Sequence, residues 1–282
     1  MAKYKIEWTE EKYKRFIKEG RGQGEGKDYK PWLTIHDFPS MGRATRIFGW
    51  KTQRIHHLFS DLQLRYFYLL EWEDSVIDIR EHYPLLDLQE SICNGVNNEI
   101  GDFVDRKTKV PYVLSTTFLI TICNSNGQIQ YVARSLKNAS QLEKKTTLKR
   151  LEAERRYWES KNIDWGIVTN KDINVTRAKN IEWLHSMGNE GIYDGIIDSQ
   201  YAELADGLLY RFIDSKQPVR RILSKFEEDY GLDRGMGILL FKKLLIDKRV
   251  GVDMDKPIDL NILAESLILK HDGKEIKLCS TR

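Results

Sequence analysis

The residues best suited to chemistry in this 282-residue sequence are cations, and they fall in blocks. Residues 1–60 hold 13 Lys/Arg against 7 Asp/Glu, residues 134–161 hold 9 against 4, and residues 216–249 hold 9 against 5. Residues 71–105 carry ten acids and one base, Arg80, so a formal net charge of +3 conceals opposed fields. A phosphate backbone is drawn to the three basic blocks and avoids the acidic one, and the aromatic residues among the cations lean the same way, toward nucleic acid. Two other groups invite a chemical reading and lose it. Gly20–Lys27 alternates glycine with polar residues, but no apolar strand precedes it and no Gly-Lys-Ser/Thr ends it. It reads as a basic, glycine-rich arm lying on a surface or in a DNA groove, not as a nucleotide loop. His56 and His57 are adjacent, so on a strand they face opposite ways, and no Cys, His or Asp partner stands at ligand spacing. DNA contact or hairpin packing is expected of them, and no metal site is assigned.

Composition sets the class of molecule. The chain is 41% hydrophobic and 11% aromatic, enough for a buried core, and its length suits two domains. No apolar run approaches the roughly 20 residues of a membrane span, and the first 25 residues are too charged for a signal peptide. Cys93, Cys123 and Cys279 lie far apart and read as reduced thiols. A cytoplasmic protein without membrane, disulfide or zinc is expected.

The elements that must position any site follow from periodicity. Glu10–Lys18 has helical spacing, Arg43–Leu58 reads as a hairpin broken at Gly49, and Phe59–Trp72 as a helix. Its inward stripe would be Phe59, Leu62, Tyr66, Phe67 and Leu70, with Gln63 pointing inward. Val76–Tyr83 alternates like a half-buried strand and ends at Pro84, and Leu86–Lys109 looks like an exposed excursion. Val113–Ile122 and Gln128–Leu136 form a second hairpin through Asn124–Gly127. A charged helix over about 141–160, a strand Trp165–Thr169 and a helix from a cap near Asn174 through Trp183 complete an α/β domain with a mixed sheet. After about Gly188 the pattern turns mainly helical. Helices Val219–Tyr230 and Leu232–Ile246 and a β segment Val250–Ile258 read as a winged helix or as a helical partner-binding module. The domains are therefore 1–188 and 189–282.

Five segments now converge on one family. Lys18–Thr34 (KEGRGQGEGKDYKPWLT), Arg54–Leu64 (RIHHLFSDLQL), Glu71–Leu85 (EWEDSVIDIREHYPL), Leu151–Trp158 (LEAERRYW) and Asn180–Leu184 (NIEWL) closely resemble TnsA, the endonuclease subunit of heteromeric transposases. The resemblance implies a restriction-endonuclease-like first domain, and a metal site built from a glutamate, an aspartate and a Gln-x-Lys pair. It implies cutting of 5′ strands beside a DDE-type TnsB-like transposase that cuts the 3′ strands, with a TnsC-like ATPase as regulator. Carboxylates in such a site hold one or two Mg²⁺ ions that activate water, and the lysine assists at the phosphate.

Carried onto this sequence, the glutamate falls on Gln63, the aspartate on Thr117, and the pair on Ser135 and Lys137. Only the lysine is kept. Arg106–Leu142 contains no Asp or Glu at all. On the helix, Asp61 lies about 200° round from Gln63 and Glu71 about 12 Å along, so neither replaces it. Gln63 offers one neutral carbonyl and Thr117 a weak hydroxyl, while Ser135 and Lys137 share a strand face, leaving the lysine free to hold a phosphate. The expectation is a TnsA-like subunit that binds transposon ends and its transposase partners without cutting and without a cofactor. The alternative is an active Mg²⁺-dependent endonuclease whose ligands come from Asp102, Asp105 or a partner. Lys137, Lys144, Lys145, Lys149 and Arg150 are the expected DNA contacts. Arg220, Arg221, Lys242 and Lys243 suit DNA or an acidic protein surface.

Overall fold

A computed structural model describes residues 7–37, 43–92, 103–105, 107–186, 198–271 and 274–275. The chain packs as two units, 1–173 and 174–282. The boundary expected at 188/189 falls beyond the next helix, which packs with the second unit.

The first unit starts with α1 (Glu10–Lys18), whose N-cap Thr9 accepts the Lys12 N–H. Its Phe16 packs with Trp8 and Trp32 in an aromatic cluster. The glycine-rich stretch is not an arm. Gly22 N–H donates to Lys30 O at 2.6 Å, φ at Gly22 is +78°, and a Cβ there would come within 2.3 Å of Pro84. Glycine is needed because this loop is pressed onto the sheet.

β1 (Thr45–Phe48) and β2 (Ile55–Leu58) pair antiparallel, as the alternation predicts. Helix α2 (Asp61–Trp72) begins two residues later than expected, because Ser60 is its N-cap and its hydroxyl accepts the Gln63 N–H. Its buried side chains are Leu64, Phe67, Tyr68, Leu70 and Glu71, a stripe rotated from the predicted one.

The main sheet runs β3 (Val76–Pro84), β4 (Ser115–Cys123), β5 (Ile129–Leu136), β6 (Asp164–Val168) in spatial order. The first three strands are antiparallel, and β5 pairs parallel with β6. A parallel pair requires a crossover, supplied by α4 (Lys145–Ser160). Tyr157 and Trp158 of α4 pack on Leu119 and Ala133. Burying each such side chain contributes roughly 1.5–3 kcal/mol. Two expectations change here. β3 is not half-buried, since Asp78, Arg80, Glu81 and His82 are all inside. Nor is 86–109 a simple excursion: α3 (Leu88–Ile92) forms within it, and Phe103 and Asp105 are buried, although 93–102 and 106 lie outside the described residues.

In the second unit, α5 (Val175–His185) is capped by Asn174, as predicted. Asn180 donates to Met254 O and Lys256 O and accepts from Ile258 N–H, so the NIEWL motif clamps a loop. Helices α6 (Asp198–Phe212), α7 (Val219–Tyr230) and α8 (Met236–Ile246) follow. Val219, Ile222, Leu223 and Phe226 bury one face of α7. α8 begins at Met236, not Leu232, because Glu227 Oε1 accepts the N–H groups of Gly235 and Gly237 at its start. The predicted strand 250–258 shrinks to β7 (Val250–Gly251), which pairs with β8 (Ile268–His271), itself paired with β9 (Lys274–Glu275). Among the described residues no helix is long and apolar enough to cross a membrane.

Candidate functional site

Three of the four positions expected to serve the site, Gln63, Thr117 and Ser135, are occupied by neutral oxygens that already have partners. Gln63 does not point into the core. Its Oε1 accepts the Phe59 N–H at 2.7 Å while its own N–H donates to Ser60 Oγ, so the side chain secures the start of α2. Thr117 Oγ1 accepts the Leu136 N–H at 3.0 Å. The β4–β5 pairing runs as far as Phe118↔Arg134, and this hydroxyl ties the strands beyond it. Ser135, 1% exposed, donates to Glu154 Oε2 and accepts from Trp165 Nε1 at 3.2 Å.

Glu154 is the acid that reasoning on the sequence overlooked. It lies in LEAERRYW on α4, on the buried stripe with Leu151, Tyr157 and Trp158, and that helical spacing was the available signal. Thr116 Oγ1 also donates to it at 3.1 Å, and Trp158 Nε1 donates to Thr116 at 2.7 Å. Burial pushes the Glu154 carboxyl up, opposed by the Ser135 hydroxyl and by the charge of Lys137.

Lys137 is half-buried at the end of β5. Its charge reaches His82 as well as Glu154. His82 is fully enclosed, stacks on Phe59 at 4.2 Å and is pushed down to about 4, first by burial, so it is neutral at pH 7. Thus Gln63 with Phe59, His82, Lys137, Glu154 and Ser135 are linked through one region, and Thr117 joins through Leu136.

A second buried cluster lies behind it. Glu81 accepts from Arg54 at 2.9 and 2.5 Å and from His56 Nδ1 at 2.8 Å, and His56 Nε2 meets Thr52 Oγ1 at 2.6 Å. Burial acts to raise Glu81, but His56 and Arg54 hold it well below the usual carboxylate range. Arg54 also donates to Gly26 O and Ile79 O, which ties the glycine-rich loop, the hairpin and β3 together. His56 is thereby a packing residue. Asp105, considered as a displaced ligand, accepts the N–H groups of Lys107 and Thr108, the Tyr112 hydroxyl and the Trp8 N–H, and is held down by Thr108 first. Asp102 lies outside the described residues.

Of the expected DNA contacts, Lys144, Lys145, Lys149 and Arg150 are exposed around the start of α4. No acid occupies the first turn of that helix, and no side chain caps it. Further along, Arg155 and Arg156 are paired with Glu152, and Arg155 also with Glu159. In the second unit Arg220 and Arg221 are exposed on α7, but Lys242 is not available for DNA. It is buried, donates to Trp183 O at 2.8 Å and Ser186 Oγ at 3.0 Å, and closes the end of α5. Lys243 pairs with Asp247 at 2.6 Å.

Residues 73–170 match the family described as "TnsA-like endonuclease N terminal", and residues 172–254 match "TnsA endonuclease C terminal". The two matches meet near the observed division at 173/174. The mixed sheet flanked by helices fits a restriction-endonuclease-like fold. The chain is 46% identical over 195 residues, 68% of each sequence, to the transposon Tn7 transposition protein TnsA of Escherichia coli. With both halves matched in order and that identity across two thirds of its length, the chain belongs to the TnsA family.

Proposed function

We propose that this chain is the TnsA-like subunit of a DNA transposition complex, one that grips transposon-end DNA and docks on a TnsB-like DDE transposase and a TnsC-like ATPase without cutting the 5′ strands. The observation that carries the reading is the donor set. Mg²⁺ sites rely on one or two carboxylates. Here Gln63 and Thr117 supply neutral oxygens already engaged with backbone N–H groups, and Ser135 is bonded to Glu154. Glu154 is itself enclosed by two hydroxyl donors and raised in pKa. Such a set fits no divalent cation.

DNA binding is supported by the start of α4. Lysines at the positive end of a helix dipole are unfavourable in isolation and become favourable when an anion bridges them. Lys144 and Lys145 stand there, with Lys149 and Arg150 following and Lys137 nearby in sequence, and they would add a salt-dependent, sequence-neutral affinity. The second unit suits partner docking better than groove reading. In the winged-helix reading α8 would enter the groove, but its side chains Leu240, Phe241, Lys242, Leu244 and Leu245 are buried.

A subunit that cannot cut leaves the element joined to donor DNA and shifts products toward cointegrates. Sequencing insertion products tests this. Cointegrates are expected, and clean excision with no other 5′ nuclease present overturns the reading. The alternative, an active endonuclease, requires the purified chain with its TnsB-like partner to nick end DNA in Mg²⁺ or Mn²⁺.

A further inference from the structure

From Phe38 through Ser60 the sequence has no Asp or Glu, yet it carries Arg43, Arg46, Lys51 and Arg54 with His56 and His57. The hairpin register sorts these residues by face. Arg46 pairs with His57, Ile47 with His56, and Phe48 with Ile55. His56 and Leu58 are buried, so the opposite face consists of Arg46, Phe48, Ile55 and His57. Ile55 is 52% exposed, Arg43 and Arg46 are exposed, and neither arginine has an ion-pair partner among the described residues.

An isolated two-stranded ribbon is marginal in water. This one is anchored from behind by two buried carboxylates. Glu71 accepts the Trp50 and Lys51 N–H groups of the turn, and Glu81 accepts from Arg54 and His56. The outward face is therefore held rigid before any partner arrives, which lowers the ordering cost of binding.

His57 adds a directed donor. Its Nδ1 accepts the Ile35 N–H at 3.4 Å, which places the ring proton on Nε2. The His36 ring stands beside it, with centroids 6.1 Å apart. On the other side the His57 carbonyl meets His82 Nε2 at 2.9 Å, and His82 lies within reach of the Lys137 charge. The ribbon thus adjoins the region that holds Lys137.

We propose that the outward face of β1–β2 is a second contact for duplex DNA, with Arg43, Arg46 and His57 holding the sugar-phosphate backbone and Phe48 and Ile55 lying against it near the turn. The absence of any acid over residues 38–60 and the continuity with Lys137 select a polyanion as the occupant. This inference rests on the DNA-binding reading above and extends its footprint.

The test uses the full chain and a fluorescein-labelled duplex of random sequence, with affinity measured by anisotropy over a salt series. Each phosphate contact contributes about 0.9 to the slope of log affinity against log salt, so the Arg43→Gln/Arg46→Gln double variant is expected to lower the slope by about 2. Its melting temperature should match the parent, since both side chains are exposed. Unchanged slope in that variant, alongside a reduced slope in Lys145→Gln/Arg150→Gln, overturns the hairpin proposal alone and leaves the face to an acidic protein partner. No salt-dependent binding by the parent chain removes both this proposal and the DNA-binding reading.

Discussion

Glu154 and Glu81 are two wholly enclosed carboxyls whose surroundings push them in opposite directions, so the same substitution should have opposite effects. Glu154 is raised in the folded chain, chiefly by burial. Its contribution to stability is full below the unfolded value of about 4.3 and is lost as pH rises through the folded value. Glu154→Gln should therefore raise the melting temperature at pH 8 and leave it level with the parent near pH 4. A thermal melt at the two pH values checks both sign and window. Glu81 is lowered, so its stabilisation is present above the unfolded value and disappears as pH falls through the folded one. Glu81→Gln strands the Arg54 guanidinium and should cost about 3–5 kcal/mol at pH 7 by denaturant unfolding. The sequence revealed which family positions carry no acid, because residue identity is all that question needs. It did not reveal that Glu154 reaches Ser135, because that contact joins α4 to β5 across the sheet and leaves no local trace.

The same division between local and distant information runs through the elements. The helix over 10–18, the hairpin through Asn124–Gly127 and the Asn174 cap were legible, since each is set by spacing or turn chemistry within a few residues. The glycine-rich stretch is not legible as a packed loop, because alternating glycines announce positive φ without naming what presses against them. Gly22→Ala should strain φ at +78° and drive a Cβ into Pro84. A loss of about 1–3 kcal/mol is expected, with faster proteolysis over residues 18–30 as a second readout. β3 differs from its sequence pattern for a related reason, because its polar residues alternate as if solvated but find Arg54, Thr121 and His57 inside. Lys242 is the counterpart in the second unit, since a Lys-Lys pair on a helix reads as a basic patch until one member closes the end of α5. Lys242→Ala should lower stability by about 1–2 kcal/mol and leave the salt slope of DNA binding unchanged. A reduced slope would return Lys242 to the nucleic-acid surface.

Across the whole molecule the charge blocks of the sequence do not survive folding intact. Of the ten acids in residues 71–105, Glu71, Asp78, Glu81 and Asp105 are buried, so the segment repels phosphate less than its composition suggests. On the proposed reading, the missing acids at Gln63 and Thr117 separate gripping DNA from cutting it, and they can be put back. Gln63→Glu keeps an oxygen for the Phe59 N–H and sits at the start of α2, where the helix dipole favours a negative charge. Thr117→Asp keeps an acceptor for the Leu136 N–H. Ser135 is best left alone, because a glutamine in its fully packed position would overfill the space beside Glu154 and Trp165. The Gln63→Glu/Thr117→Asp double variant should therefore fold and gain Mg²⁺- or Mn²⁺-dependent nicking of end DNA in the presence of its TnsB-like partner. Each single variant, supplying one acid, should remain near the parent's background. If the parent already nicks at the rate of the double variant, the donor set is being completed from outside this chain and the non-cutting reading falls. If the double variant binds DNA, melts like the parent and still does not cut, the loss of function extends beyond the two acids to the enclosure of Glu154.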